Sequence, residues 1–257
     1  MQRLLSELRR LFHLPIEAPA EGAAPGADSA LYALQRQLAG EGWLELQPVD
    51  AQGCTRLLGI GFHGLARGQG AAHCAAMLQL ARWLMEALDL PEAGFSVNGR
   101  DGFDLWLPLA APVPVSEAHE LVQRLQALHL HELQQVHLLP AAPQPALAGA
   151  EPLRLPPGLH PDSGLWSVFI TPGLAPSFTE EAGIDIAPNL DKQAELLARL
   201  QPIAPDEFTR ALQRLRQRAG QAVETPSPEA DASGASAGAA GGATFSPVPP
   251  AAGNAAA

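Results

Sequence analysis

The chain has 257 residues, a formal net charge of −11, two cysteines and 16 basic residues, of which only Lys192 is a lysine. That length suits one generous domain or two small ones. The acidic balance excludes a protein that coats nucleic acid by neutralising phosphates, but leaves room for a local Arg-lined groove. Two cysteines without paired spacing exclude a disulfide framework and a Cys-rich zinc module. No apolar run reaches the roughly 18 residues of a membrane span. The expectation is a soluble cytoplasmic protein with no membrane role, and the Arg bias is that of a GC-rich bacterial genome.

Leu4, Leu5, Leu8, Leu11 and Phe12 fall on one helical stripe, which predicts an N-terminal amphipathic helix docked on the body of the protein. A Pro/Ala/Gly/Glu linker at about 15–27 follows, so 1–27 stands apart from a main domain at 28–220. Asp28 or Ser29 caps a second helix carrying Leu31, Leu34 and Leu38, stopped by Gly40. Trp43–Val49 reads as a strand and Asp50–Gly53 as its turn.

Between 55 and 139 the elements follow one another in the order β-α-β-β-α-β. Thr55–His63 alternates, with Leu58, Ile60 and Phe62 on one face and Gly59, Gly61 and His63 on the other. A helix over 71–89 follows the Gly64–Gly70 loop. Strands Gly94–Asn98 and Phe103–Leu107 flank the turn Gly99–Gly102. A helix opens at Ser116, and Leu133–Leu139 closes the unit as a strand. This is the split βαβ pattern of ferredoxin-like and RNA-recognition-motif (RRM)-like domains, in which both helices cover one sheet face and leave the other open. The open face then carries Asp104, Trp106 and His63, with Gln135 and His137 from the last strand. It serves either as a functional surface or as a packing face under later strands.

Beyond a Pro/Ala linker at 140–150, an additional unit over 151–219 supplies strands Leu153–Leu155 and Trp166–Thr171 around a turned segment. Helices follow at roughly 189–200 and from Pro205, a favoured first-turn residue. From 221 to 257 the Ala/Gly/Ser/Pro composition predicts a disordered tail.

Three segments, in order, carry a family resemblance. They are Leu57–His63, the turn and strand Arg100–Leu109 with its Gly-Phe-Asp-Leu-Trp-Leu-Pro core, and Leu153-Arg154-Leu155-Pro156 through His160 and Gly164 to Ser167–Thr171. Together they resemble the archaeo-eukaryotic primase superfamily of primase-polymerases, over roughly residues 30–200. The resemblance implies an α/β (α+β) fold, an RRM-like β-α-β-β-α-β core extended by a further β-unit and flanking helices. It also implies a site at Gly61, His63, Asp104 and Thr171, where the family holds two metals with three carboxylates and a phosphate with a histidine. Two-metal phosphoryl transfer needs several converging hard oxygen ligands. Here Asp104 is the one carboxylate in the set.

The expected function is therefore that of a degenerate primase-polymerase-like protein, an accessory to nucleic acid or to a replication complex in a mobile-element setting, with no cofactor. Two alternatives stand beside it. One is an active nucleotidyltransferase using Mg²⁺ or Mn²⁺ at a rearranged site around His63 and Asp104. The other is an acidic scaffold with no nucleic-acid role. Candidate contacts to nucleic acid or a nucleotide are Arg100, Trp106 as a stacking platform, His137, Arg154 and His160. His63 and Asp104 are weak metal candidates and fit a hydrogen-bonded structural pair better. A zinc site from Cys54, His63, His73 and Cys74 is disfavoured, because His73 and Cys74 diverge as neighbours on a helix.

Overall fold

The computed structural model describes residues 1–13, 30–46, 48–64, 69–130, 136–139 and 153–223, and the statements below concern those residues. In chain order the elements are α1 (Gln2–Phe12), α2 (Ala30–Leu38), β1 (Glu45–Leu46), β2 (Cys54–Phe62), α3 (Gly70–Leu88), β3 (Gly94–Val97), β4 (Phe103–Pro114), α4 (Val115–His129), β5 (Val136–Leu139), β6 (Leu153–Arg154), β7 (Gly158–Leu159), β8 (Trp166–Ile170), a 3-10 segment Pro172–Phe178, α5 (Leu190–Leu197) and α6 (Pro205–Val223). The linkers at 15–27 and 140–150 lie outside the described residues, as does the tail beyond Val223. Helix α6 runs through residues 221–223, which composition had assigned to that tail.

The protein is a mixed α+β fold on an antiparallel sheet of strand order β5-β2-β4-β3-β8-β7. Period-2 alternation divides its side chains between two cores. Leu58, Ile60, Phe62, Phe103, Leu105 and Leu107 face a core closed by Met77, Leu80 and Leu84 of α3, Leu121 and Leu125 of α4, and Phe208 and Leu212 of α6. Leu57, Trp106 and Phe169 face the other way.

That second face, expected to be open, is covered. Leu4, Leu8, Leu11 and Phe12 of α1 pack there with Leu31, Leu34 and Leu38 of α2 and Ala194, Leu197 and Leu200 in and beside α5. Phe12 meets Trp106 edge-on at 5.9 Å and stacks on Phe169 at 6.0 Å. The first helix docks on the body, as its stripe predicted, and its cover is the sheet face itself. Arg10 secures it: Nη1 and Nη2 donate to the carbonyls of Leu200 and Leu197, 3.0 and 2.9 Å, at and just beyond the C-terminal end of α5.

Of the two readings of the sheet face, the one in which the strands after residue 150 cover it is not what forms. Instead β8 extends the sheet, pairing with β3 through Ser96↔Phe169, and β7 pairs with β8 at the edge. The pair β1–β6 forms a separate small sheet with Glu45 opposite Arg154, so the strand expected over 43–49 is short. Strand β4 runs past Leu107 to Pro114. Proline lacks the N–H a ladder needs, but β3 pairs with β4 only as far as Trp106. Beyond that point a register shift against β2 between Thr55 and Leu57, and the bonds of Ile203 N to Pro108 O (2.8 Å) and Ala110 N to Ile203 O (2.9 Å), absorb the irregularity.

Candidate functional site

The turn before β4 is built by Asn98. Its Oδ1 accepts from the backbone N–H groups of Arg100, Asp101 and Gly102 at 2.8, 2.9 and 3.0 Å, and its Nδ2 donates to Asp101 Oδ1 at 2.9 Å. Asn and Asp make such side-chain turns because their short polar arms reach the backbone a few residues on. Gly99 is left-handed at φ +76°, and a Cβ on Gly102 would stand 2.2 Å from Phe62 O. The glycines are thus required by geometry, and they aim β4 so that Phe103 enters the core and Asp104 the opposite face. Arg100 is exposed on this turn.

A single row crosses the sheet: His137, Gly61, Asp104, Ser96 and Phe169 are successive register partners on five strands. On this row Asp104, 5% exposed, collects the polar groups. His63 Nε2 lies 2.6 Å from its Oδ1. Ser96 Oγ donates to Oδ2 at 3.2 Å and accepts the Trp106 indole N–H at 2.8 Å. An ionised carboxylate only accepts, so the His63 ring proton sits on Nε2 and the donors converge on one acid. The order Trp106, Ser96, Asp104, His63 is not that of a nucleophilic triad, because the serine hydroxyl donates to the acid and Ser96 is fully buried.

Trp106 is 1% exposed, its N–H is bonded and its ring is covered by Phe12. It is therefore a core residue, and its expected role as a base-stacking platform is corrected. Sequence reasoning missed Ser96 as the partner that ties Trp106 to Asp104. Its place on an alternating strand next to β4 was the available signal. Thr171 stands two residues beyond Phe169, at the cap position just before the 3-10 segment. It borders a cleft of about 190 Å³ together with Glu92, Gly94, Phe169 and Arg199. The backbone of His137 is opposite Gly61, and its side chain lies outside the described residues.

Buried His73 lies edge-on to Phe62 at 6.4 Å. Burial, and then the charge of nearby His63, push its pKa below 6.5. Cys54 and Cys74 are free thiols. Among the described residues no three His, Cys, Asp or Glu side chains converge as a metal site. With a glycine at 61 and an imidazole at 63, the donor set around Asp104 does not fit a two-metal centre, and the Thr171 hydroxyl lies beyond that row. Arg154 and His160 meet elsewhere, beside the small β1–β6 sheet, with Nη1 3.3 Å from Nε2.

No described helix is long and apolar enough to cross a membrane. Compared with models of protein families the sequence matches none, and no curated protein matches it.

Proposed function

We propose that the chain is a primase-polymerase-like protein that has lost nucleotidyl transfer and serves as an accessory to nucleic acid or to a replication or mobile-element complex. The reading rests on the three sequence segments in their order. Strand order supports it, because β5-β2-β4-β3 with β8 added beside β3 is the arrangement expected of an RRM-like core with a further β-unit. The observation that carries the loss of chemistry is the engagement of Asp104. Its two oxygens are taken by His63 and Ser96, its register partner Gly61 and its hydrogen-bond partner His63 offer no second carboxylate, and Thr171 is a hydroxyl two residues beyond the row that holds Asp104.

Two assays test this. Primer extension and dinucleotide synthesis are measured with Mg²⁺ and with Mn²⁺, and binding to single-stranded DNA is followed from low to high salt. The expected result is no synthesis together with salt-sensitive binding. Synthesis that disappears in Asp104→Ala would overturn the loss of activity. Absence of binding at every salt concentration would assign the protein to the acidic-scaffold class.

A further inference from the structure

The ladder between β3 and β8 ends at Phe95↔Ile170. Gly94 still pairs with Trp106 on its other side. Toward β8 the next step is Thr171, where the chain turns into the 3-10 segment through Pro172, a residue without an N–H. The end of α5 lies beside this parting of the strands, and Leu197 and Leu200 line the cleft of about 190 Å³ that forms there. Gly94 permits the close approach, since a Cβ on it would stand 2.9 Å from Leu200 Cδ1.

The lining has two chemical parts. Phe95, Phe169, Leu197 and Leu200 are buried and apolar. Glu92 and Arg199 are exposed charges of opposite sign. Among the described residues neither makes an ion pair or a side-chain hydrogen bond. Glu195, one turn before Arg199, is taken by Lys192 Nζ at 2.9 Å. The Thr171 side chain makes no bond to the turn that it caps.

Size and charge together define a ligand class. A cavity of about 150 Å³ takes benzene, and drug-sized ligands need roughly 300 Å³ or more. This cleft therefore suits a molecule a little larger than benzene and is too small to enclose a nucleotide. A singly charged molecule meets a like charge at the rim: an anion faces Glu92 and a cation faces Arg199. A zwitterion avoids both penalties. Its carboxylate matches the planar guanidinium fork, its ammonium donates to the Glu92 carboxylate, and the Thr171 hydroxyl can serve either group.

We propose that this cleft binds a free α-amino acid with an aliphatic side chain, its carboxylate on Arg199, its ammonium on Glu92 and its side chain against the apolar lining. The site goes beyond the nucleic-acid reading and does not depend on it.

The full chain is titrated at about pH 6.5, where α-amino groups are charged, with L-leucine, with leucine amide and with 4-methylpentanoate. The amide lacks the carboxylate and the last compound lacks the ammonium. Calorimetry gives the affinities, and the amide shifts of Gly94 and Thr171 in ¹⁵N-labelled protein report the place. The expected result is saturable binding of leucine with a dissociation constant of about 1 mM. Each analogue should bind about fivefold more weakly, the upper end for an exposed ion pair. Glu92→Gln should lower leucine to the level of 4-methylpentanoate, and Arg199→Gln should lower it to the level of the amide. Both side chains are exposed, so both variants should keep the parent's thermal midpoint. No saturable binding, or shifts outside the cleft, overturns the site. So does an analogue that binds as tightly as leucine, or unchanged leucine affinity in either variant. No nucleic acid enters the titration, so failure here leaves the accessory reading to its own assays.

Discussion

His63 Nε2 and Asp104 Oδ1 lie 2.6 Å apart, and the space they share exists because residue 61 is a glycine. A Cβ there would stand 2.7 Å from Nε2 and 3.3 Å from Oδ1. Gly61→Ala should therefore be destabilising in the parent and much less so in His63→Ala, with a coupling of about 1 kcal/mol or more in a double-mutant cycle. Urea unfolding of the four proteins measures it, and additive effects would refute the relationship. By the same geometry, Gly61→Asp should displace the imidazole without restoring synthesis.

Asp104→Asn keeps the volume of the side chain but weakens a charge-assisted contact and disturbs the bond from Ser96. A loss of about 1.5–3 kcal/mol is expected. Chemical denaturation at neutral pH checks it, with Asp206→Asn on exposed α6 as the comparison that should change little.

Leu8 is fully buried where α1 covers the sheet. Truncation to Ala should cost about 2–5 kcal/mol, the range for a buried leucine. Arg10→Ala should loosen α1 with a smaller effect, because it removes the two bonds to the end of α5. Amide exchange in α1 distinguishes the two: Arg10→Ala should raise exchange there while leaving β2 and β4 protected.

Much of this architecture could be read from pattern. The alternation in 103–107 separated Phe103, Leu105 and Leu107 from Asp104 and Trp106, and the observed faces agree. The stripe Leu4, Leu8, Leu11, Phe12 announced a docked helix. Its docking place was not legible, because an amphipathic stripe states that a face is buried and says nothing about the partner. The same holds for Trp166–Ile170, where a run buried on both faces fits a covering strand as well as an added one. Ser96 escaped notice because its value lies in cross-strand register, which sequence spacing does not contain. Trp43 and Arg154 meet with the guanidinium carbon 5.5 Å from the indole centroid, although more than a hundred positions separate them in the chain.

Acid should weaken the fold in two separable steps. His73 and His129 are held below their ordinary 6.5, in both cases first by burial and then by a neighbouring charge, His63 and Arg218 respectively. The unfolded chain takes up those protons first, so their contribution is complete above 6.5 and is lost as pH falls below it. Glu120 is lowered from 4.5 to about 2, chiefly by its hydrogen bonds from Arg216 on α6, with Arg124 adding to it. Its contribution is complete above 4.5 and is lost on the way to about 2. The Glu120 step should be small and salt-sensitive, since the pair is at the surface. Urea midpoints against pH check both steps: Glu120→Gln should flatten only the lower one and His73→Gln only part of the upper.

The bonds from Arg10 to Leu197 and Leu200 join positions 187 and 190 apart in the chain. At ribosomal rates that separation is a wait of roughly 10–40 s between the emergence of the two partners. Throughout that interval the part of the α1 stripe that packs on Ala194, Leu197 and Leu200 lacks its cover, and a nascent chain in that state is a natural client for holdase chaperones. Closure of the sheet then becomes a late event in biogenesis. Ribosome-stalled chains ending before Asn189 should be cut by protease within α1, and chains that include α5 should resist.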